Sequence, residues 1–237
     1  MRFLWIVGVL ALPVAARAEG PRRVHVFVAL ADNAHQGIVP VPAKLGNGDD
    51  PANNLYWGAA YGVKTYFKRH AGWVLVPSDS PLPANVLERA VFEHRASKTR
   101  LTADAYRGIA IKSAIEDFLA AAAGSDIELA VYVGHDGLMD FSLDQLPAKA
   151  DAKTRDAIIL ACVSKSYFDK PLAATGARPL LWTTGLMAPE AYTLAAALDG
   201  WIAKESDTQI RDRAADAYHQ YQKCGVKAAR RLLTTGR

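Results

Sequence analysis

Several features that mark well-known classes of protein are missing from this sequence. The formal net charge is only +4, which is too small an excess of positive charge to indicate a nucleic-acid-binding protein. No Gly-x-Ser-x-Gly elbow surrounds Ser164, which argues against a serine hydrolase. After residue 18 no apolar run is long enough to span a membrane. Four histidines have no spacing typical of zinc: His25, His70, His94 and His219.

The N-terminus has the pattern of a secretory signal peptide. A short positive start, Met1-Arg2, precedes an apolar segment over residues 3–16, and Ala16-Arg17-Ala18 supplies a small-x-small cleavage site. We therefore expect cleavage after Ala18, a periplasmic or secreted protein, and a single mature domain over residues 19–237. An uncleaved N-terminal anchor is the alternative, although the segment is short and Pro13 interrupts it. No cysteine at the cleavage point could carry a lipid anchor.

The chain has only two cysteines, Cys162 and Cys224. In an oxidising compartment the default for such a pair is a disulfide. A bridged Cys162 could not act as a nucleophile, so a disulfide and a reactive thiol are competing interpretations that the sequence leaves open.

Apolar runs alternate with amphipathic segments along most of the chain. The runs predict strands over residues 24–31, 73–76, 127–134, 157–161 and 178–185. The amphipathic segments predict helices over residues 55–69, 105–123, 164–174, 188–204, 208–223 and 226–233. Residues 86–92 and 98–103 favour a β-ribbon, although residues 85–92 are equally compatible with a helix. Strands that alternate with helices predict an α/β fold with a doubly wound, mainly parallel sheet.

Two of the predicted strands end on chemically capable residues. Residues 127–134 lead directly to His135, and residues 157–161 lead to Cys162, 27 positions later. That spacing allows one crossover between adjacent parallel strands, so both residues would emerge at one sheet edge. An imidazole beside a thiol activates it as a nucleophile. The amides of Gly137 and Cys162 would be oxyanion donors, so the constellation suits hydrolysis of a peptide or amide bond.

Other polar residues are weaker candidates. Asp32 and Asn33 follow the first strand and Thr184 ends a later one, so they are candidates for substrate binding at the same edge. The alternative for Asp32 is a loop-capping carboxylate. Asn47, Asp49 and Asp50 could bind calcium in a glycine-rich loop, although they match no EF-hand and suit Asx turns equally. We expect no other cofactor.

The strand ends also resemble a known family. Val131-Tyr132-Val133-Gly134-His135 and Leu160-Ala161-Cys162-Val163-Ser164 resemble the catalytic signature of the caspase, legumain and gingipain clan of cysteine peptidases, and are closest to its gingipain branch. The resemblance implies a caspase-haemoglobinase three-layer sandwich, His135 as general base, Cys162 as nucleophile, and a peptide or protein substrate. It covers about a sixth of the chain and includes no specificity pocket.

One residue departs from the clan pattern. The clan has glycine directly after the histidine, whereas Asp136 intervenes here before Gly137. A carboxylate at this position would orient the imidazole or contact substrate, or it would give the histidine another task.

A second resemblance concerns export alone. Residues 37–42 and 218–225 are similar to a group of exported bacterial proteins, which implies export and no activity. Two functions therefore stay open: an exported cysteine peptidase or amidohydrolase, and a non-catalytic envelope binding or scaffold protein that keeps a peptidase-like fold. The sequence does not indicate the oligomeric state, and no membrane anchoring is expected after signal cleavage.

Overall fold

A computed structural model describes residues 20–237 of the chain. The expected signal peptide and its cleavage site therefore lie outside the described residues. Within residues 20–237 no helix is both long and apolar enough to cross a bilayer.

Eight strands and six helices make up the described part of the chain. The strands are Arg23–Ala29 (β1), Trp73–Val76 (β2), Val86–His94 (β3), Arg100–Tyr106 (β4), Leu129–Val133 (β5), Asp156–Leu160 (β6), Arg178–Thr183 (β7) and Leu233–Thr234 (β8). The helices are Val63–Arg69 (α1), Ile111–Ala123 (α2), Ser164–Thr175 (α3), Ala191–Ile202 (α4), Asp207–Gln222 (α5) and Val226–Leu232 (α6).

All eight strands form one mixed sheet in the order β2-β3-β4-β1-β5-β6-β7-β8. The five central strands, β4, β1, β5, β6 and β7, run parallel to one another. The edges are antiparallel, with the β2-β3-β4 ribbon at one side and β8 at the other. The parallel centre places the carboxyl ends of β1, β5, β6 and β7 along one edge of the sheet.

Helices cover both faces of this sheet and give three layers. Alternate residues of β1 divide between two cores: Val26 and Val28 face one, and Phe27 and Ala29 face the other. Helices α1, α4, α5 and α6 contribute to the first core, and α2 and α3 to the second. Burial on both faces explains why the central strands are continuous apolar runs rather than alternating ones.

The predicted strands are confirmed to within a few residues at their ends. The β-ribbon is also confirmed, because β3 and β4 pair antiparallel with Ala90 opposite Ala103. The helical alternative for residues 85–92 is wrong, since Val86–His94 is a strand that pairs with β4 along its length and with β2 at its end. The helices predicted over residues 164–174, 208–223 and 226–233 are confirmed as α3, α5 and α6.

Three predicted helices begin too early in the sequence. The helix expected over residues 55–69 starts at Val63, because turns fixed by the buried Asn54 side chain occupy the preceding residues. The helix expected over residues 105–123 starts at Ile111, because Tyr106 still pairs with β1. The helix expected over residues 188–204 spans Ala191–Ile202, and Glu190 is its N-cap.

Candidate active site

His135 and Cys162 are brought to one pocket by adjacent parallel strands. Val133 of β5 pairs with Leu160 of β6, so the two chains leave the sheet side by side. Two residues further along each chain, His135 and Cys162 both line a pocket of about 400 Å³. The sequence predicted this meeting at the sheet edge.

A strained turn follows Cys162. Val163 has φ of +51°, in the left-handed region that a β-branched side chain rarely adopts. Its N–H donates to the carbonyl of Gly185 at 2.8 Å, which fixes the turn against the segment after β7. The turn places Cys162 directly before the N-terminus of the 12-residue helix α3.

Gly134 makes the corresponding turn before the histidine. Its φ of +154° is a conformation that side chains rarely adopt, and a Cβ there would lie 3.0 Å from the carbonyl oxygen of Ala29. Gly134 therefore allows the chain to pass close to β1 at the end of β5, and the next residue, His135, lines the pocket. Gly137 has a different environment, because it packs against Phe141 and Ile111 and does not line the pocket.

Cys162 is half-buried and bonded to backbone rather than to the histidine. The N–H of Met187 donates to Sγ at 3.4 Å, and the thiol lies 3.6 Å from the Met187 carbonyl. Within residues 20–237 no hydrogen bond joins Sγ to the imidazole. Both cysteines are free thiols in the structure, so the default disulfide between Cys162 and the exposed Cys224 is not formed.

The imidazole of His135 is held by a carboxylate that the sequence reasoning missed. Nε2 of His135 lies 2.6 Å from Oδ2 of Asp140, and the same oxygen accepts a long hydrogen bond from the Gly37 N–H at 3.4 Å. A carboxylate accepts, so in the neutral ring the proton is assigned to Nε2 and Nδ1 is the basic nitrogen. The short helical turn Gly137–Met139 brings Asp140 back to the histidine.

Asp136 does not orient the imidazole as the sequence suggested. Its side chain is fully buried, and Oδ1 accepts from the Leu138 N–H at 3.1 Å to cap the helical turn. Oδ2 has no hydrogen-bond partner among the described residues. Burial raises the pKa of this carboxyl from 3.8 to about 7, with a smaller contribution from the charge of Asp140.

Of the two expected oxyanion donors, one amide is already engaged. The Gly137 N–H donates to the carbonyl of His135 at 3.1 Å, within its own turn. The Cys162 N–H makes no hydrogen bond within residues 20–237, so it is the donor that a developing oxyanion could use.

The pocket walls are mostly apolar and carry a few polar groups. Three apolar rim residues are exposed: Val39, Leu186 and Met139. Tyr56, Glu190 and Gln222 supply polar atoms to the wall. Burial raises the pKa of Tyr56, and the charges of Cys162 and Glu190 raise it further. The sequence placed Tyr56 within the predicted helix over residues 55–69 and indicated no role for Glu190 or Gln222.

The other predicted substrate-binding residues do not line this pocket. Asp32 is a buried loop cap, because it accepts from the Ala34 N–H and from His35, both at 2.9 Å. The Asn33 side chain bonds both backbone groups of Val41. The Thr184 hydroxyl donates to the Arg231 carbonyl at 2.7 Å, which ties the end of β7 to α6.

In the loop considered for calcium, the side-chain oxygens accept hydrogen bonds from the loop's own backbone. Asn47 accepts from the Asp49 N–H at 3.0 Å, and Asp50 accepts from the Ala52 N–H at 3.1 Å. Asp49 forms an ion pair with Arg107. No cluster of three metal-ligating side chains occurs within residues 20–237. These carboxylates therefore serve Asx turns and an ion pair in the structure.

Comparison with known proteins provides no relative whose function could be used to interpret the site. No protein-family model, curated protein or solved structure significantly matches the chain. The resemblance of the two strand ends to cysteine peptidases therefore depends on the quoted residues and on where the fold places them.

Proposed function

We propose that the protein is an exported cysteine peptidase or amidohydrolase with a caspase-type fold. The observation that carries the proposal is the shared pocket, in which a thiol and an imidazole lie at the carboxyl ends of adjacent parallel strands. The three-layer arrangement, with the histidine strand beside the cysteine strand, is what the clan resemblance requires. Substrates of this class are peptides or proteins with a scissile amide carbonyl.

The geometry suggests a role for each group. Nδ1 of His135 would take the thiol proton, and the Cys162 thiolate would attack the carbonyl carbon. The free Cys162 N–H would stabilise the oxyanion of the tetrahedral intermediate. Collapse of that intermediate breaks the C–N bond, and the imidazolium returns its proton to the departing amine. A water molecule, deprotonated by the same imidazole, would then hydrolyse the thioester and restore the thiol.

A specific observation favours a second candidate, a non-catalytic binding protein of the envelope. Sγ of Cys162 makes its hydrogen bonds with the Met187 backbone, and the His135 ring is bonded to Asp140. Each group is therefore satisfied without the other. A pocket rimmed by exposed apolar side chains would serve binding as well as catalysis.

Covalent labelling distinguishes these functions. A Cys224→Ser background leaves Cys162 as the single thiol, and a peptidyl acyloxymethyl ketone reacts only where a thiolate is presented beside a bound carbonyl. For a peptidase, His135→Ala slows ketone labelling about 100-fold or more, the usual contribution of a general base. His70→Ala, which removes a histidine outside the pocket, leaves the labelling rate unchanged.

The binding-protein function predicts a different result. Ketone labelling would be slow in the Cys224→Ser protein and equally slow after His135→Ala, while iodoacetamide, which needs only access to the thiol, would still modify Cys162. That pattern would overturn the hydrolase proposal.

A further inference from the structure

A basic groove lies at the edge of the sheet where the parallel strands begin. It consists of two adjoining hollows of about 620 and 530 Å³ that share residues 20–22. Six cationic side chains line the groove: Arg22, Arg23, Lys98, Arg100, Lys153 and Lys204. Only two carboxylates line it, those of Glu93 and Glu128. Because lysine and arginine outnumber aspartate and glutamate only by 28 to 24 in the whole chain, positive charge is concentrated here.

The parallel order of the strands brings these cations together. Arg23 begins β1 and Arg100 begins β4, and the two residues lie opposite each other in the register. Glu128 directly precedes β5, and its N–H donates to the Arg23 carbonyl at 2.9 Å. His135 and Cys162, by contrast, follow the carboxyl ends of β5 and β6. The basic groove and the candidate active site therefore lie at opposite edges of the sheet.

Most of the cations in the groove lack a carboxylate partner. Lys98 pairs with Glu93 at 3.2 Å, and Lys153 pairs with Glu128 at 3.1 Å. The other four form no salt bridge within residues 20–237: Arg22, Arg23, Arg100 and Lys204. All the lining cations except the half-buried Arg22 are exposed. The groove therefore presents uncompensated positive charge to an anionic partner.

Arg22 is fixed between the two hollows. Its guanidinium donates to the carbonyls of Trp201 at 3.2 Å and Ile202 at 2.9 Å, and it lies 4.3 Å from the centre of the Trp201 ring. Carbonyl and aromatic contacts orient a guanidinium without neutralising its charge. Arg22 is thus a positioned cation in the middle of the groove.

We propose that the basic groove docks the protein on an anionic phospholipid membrane. Headgroup phosphates would enter the two hollows and accept hydrogen bonds from the arginine and lysine side chains. Pro21 is the one apolar side chain in the described lining. The contact would therefore be electrostatic and reversible, with no segment inserted into the lipid.

The direction of the chain supports a membrane as the partner. Residues 20–22 run through the groove, and the apolar segment over residues 3–16 comes shortly before them in the sequence. A signal peptide directs the protein that follows it to a membrane, so the groove is formed by the residues that come first after that segment. Docking through the groove would turn His135 and Cys162 away from the lipid. The docking does not depend on the hydrolase proposal.

Co-sedimentation with lipid vesicles tests the docking surface. Protein expressed with its own signal peptide and then purified should bind vesicles that contain phosphatidylglycerol, and should not bind vesicles of phosphatidylcholine alone. Raising the salt concentration from about 0.1 M to about 1 M shortens the screening length from about 10 Å to about 3 Å and should release the protein.

Charge-removing variants identify the cations that bind. Each lysine or arginine near an anionic surface contributes about fivefold to affinity, so the double variant Arg23→Gln, Arg100→Gln should bind about 25-fold more weakly. The matched control is Lys227→Gln, Arg231→Gln, which removes the same charge from exposed positions on α6 and should leave binding unchanged. Melting temperatures close to that of the parent protein would show that both variants fold.

Chemical footprinting tests the orientation on the membrane without any variant of the groove. An N-hydroxysuccinimide ester acylates exposed amines, and anionic vesicles should protect the three lysines of the groove while Lys227 reacts at an unchanged rate. Those three are Lys98, Lys153 and Lys204. In the Cys224→Ser protein, iodoacetamide should modify Cys162 equally fast with and without vesicles.

Four results would overturn the docking surface. The first is an absence of binding to either kind of vesicle, and the second is equal binding to both kinds, which would attribute binding to an apolar segment. The third is binding that Arg23→Gln, Arg100→Gln does not weaken. The fourth is binding of inorganic phosphate or heparin without binding of anionic vesicles, which would indicate a site for soluble anions. None of them bears on the hydrolase proposal, which ketone labelling tests separately.

Discussion

Asp140 lies 2.6 Å from the Nε2 atom of His135 and therefore determines which ring nitrogen can act as a base. The carboxylate accepts from Nε2, so Nδ1 keeps its lone pair. Gly37 is close to the same carboxylate, because a Cβ at that position would lie 2.9 Å from Oδ1 of Asp140. The loops after β1 and after β5 thus meet at the carboxylate that holds the imidazole.

Asp140 is expected to act as a positioning residue. In Asp140→Asn the side-chain amide can donate to Nε2, which would move the ring proton to Nδ1 and remove the base. We expect Asp140→Asn to slow ketone labelling of Cys162 more than Asp140→Ala does, while the melting temperature stays close to that of the parent protein. Asp144→Asn is the control. Asp144 lies in the same segment as Asp140, but it pairs with Lys112 of α2 and does not line the pocket. If the Asp140→Asn variant and the parent protein were labelled at equal rates, this role would be contradicted.

The buried Asn54 side chain holds the loop between β1 and α1. It accepts from the Ala31 N–H at 3.0 Å and donates to the carbonyls of Ala31 at 2.8 Å and Asn47 at 3.0 Å. Asn54→Ala leaves these backbone groups unpaired, and we expect it to lower the free energy of unfolding by about 2–4 kcal/mol. Asn53→Ala removes one bond to Asp50 and should cost about 1 kcal/mol or less. Urea denaturation measures both, and equal losses would contradict the assignment.

The sequence predicts the sheet more accurately than it predicts this loop. The sheet could be predicted because β5 and β6 are buried on both faces and so are continuously apolar. The parallel order of these two strands then placed His135 and Cys162 at one edge of the sheet. The helix over residues 55–69 was predicted too long, because its spacing suits a helix while a tertiary contact from Asn54 overrides it.

The remaining parts of the site depend on contacts between distant segments. Glu190 accepts a hydrogen bond from Gln222, which is 32 positions later. Asp140 meets His135 because a short helical turn intervenes. No local pattern indicates either contact. The one available signal was that Glu190 lies in the segment that follows β7, since chemistry collects after strand ends.

Acid stability should depend on the buried Asp104 in β4. Arg89 donates two hydrogen bonds to it, at 2.6 and 2.7 Å, and His25 contacts it at 2.9 Å. Burial alone would raise the pKa of Asp104, but the bonds to Arg89 and His25 prevail and lower it below 3.8. The unfolded chain therefore binds more protons, so this stabilisation is present above about pH 4 and is lost as the pH falls through the folded value.

Asp104→Asn is expected to leave the half-buried Arg89 without its anion. We expect a loss of about 3 kcal/mol in the free energy of unfolding at neutral pH, and a smaller loss of stability on acidification than in the parent protein. Urea denaturation at neutral and acidic pH measures both. Asp126→Asn, at an exposed position, should change neither. An acid slope that is unaltered by Asp104→Asn would refute the assignment.

Asp136 should have the opposite effect on stability. Its pKa is raised to about 7 by burial, and Oδ2 has no partner among the described residues, so the folded protein binds a proton that the unfolded chain releases near pH 4. Stability from this group is complete below about pH 4 and falls as the pH rises to about 7. The shift from 3.8 to about 7 sets an upper limit of about 4 kcal/mol on the loss, at about 1.4 kcal/mol per pKa unit.

Asp136→Asn removes this ionisation while keeping an oxygen that can accept from the Leu138 N–H. We expect the variant to be more stable than the parent protein above about pH 7, by about 1–3 kcal/mol, and to lose the decline between about pH 4 and pH 7. Urea denaturation of both proteins across that range measures the difference. A parallel pair of stability curves, offset by a constant amount at every pH, would show that Asp136 does not titrate in the folded protein.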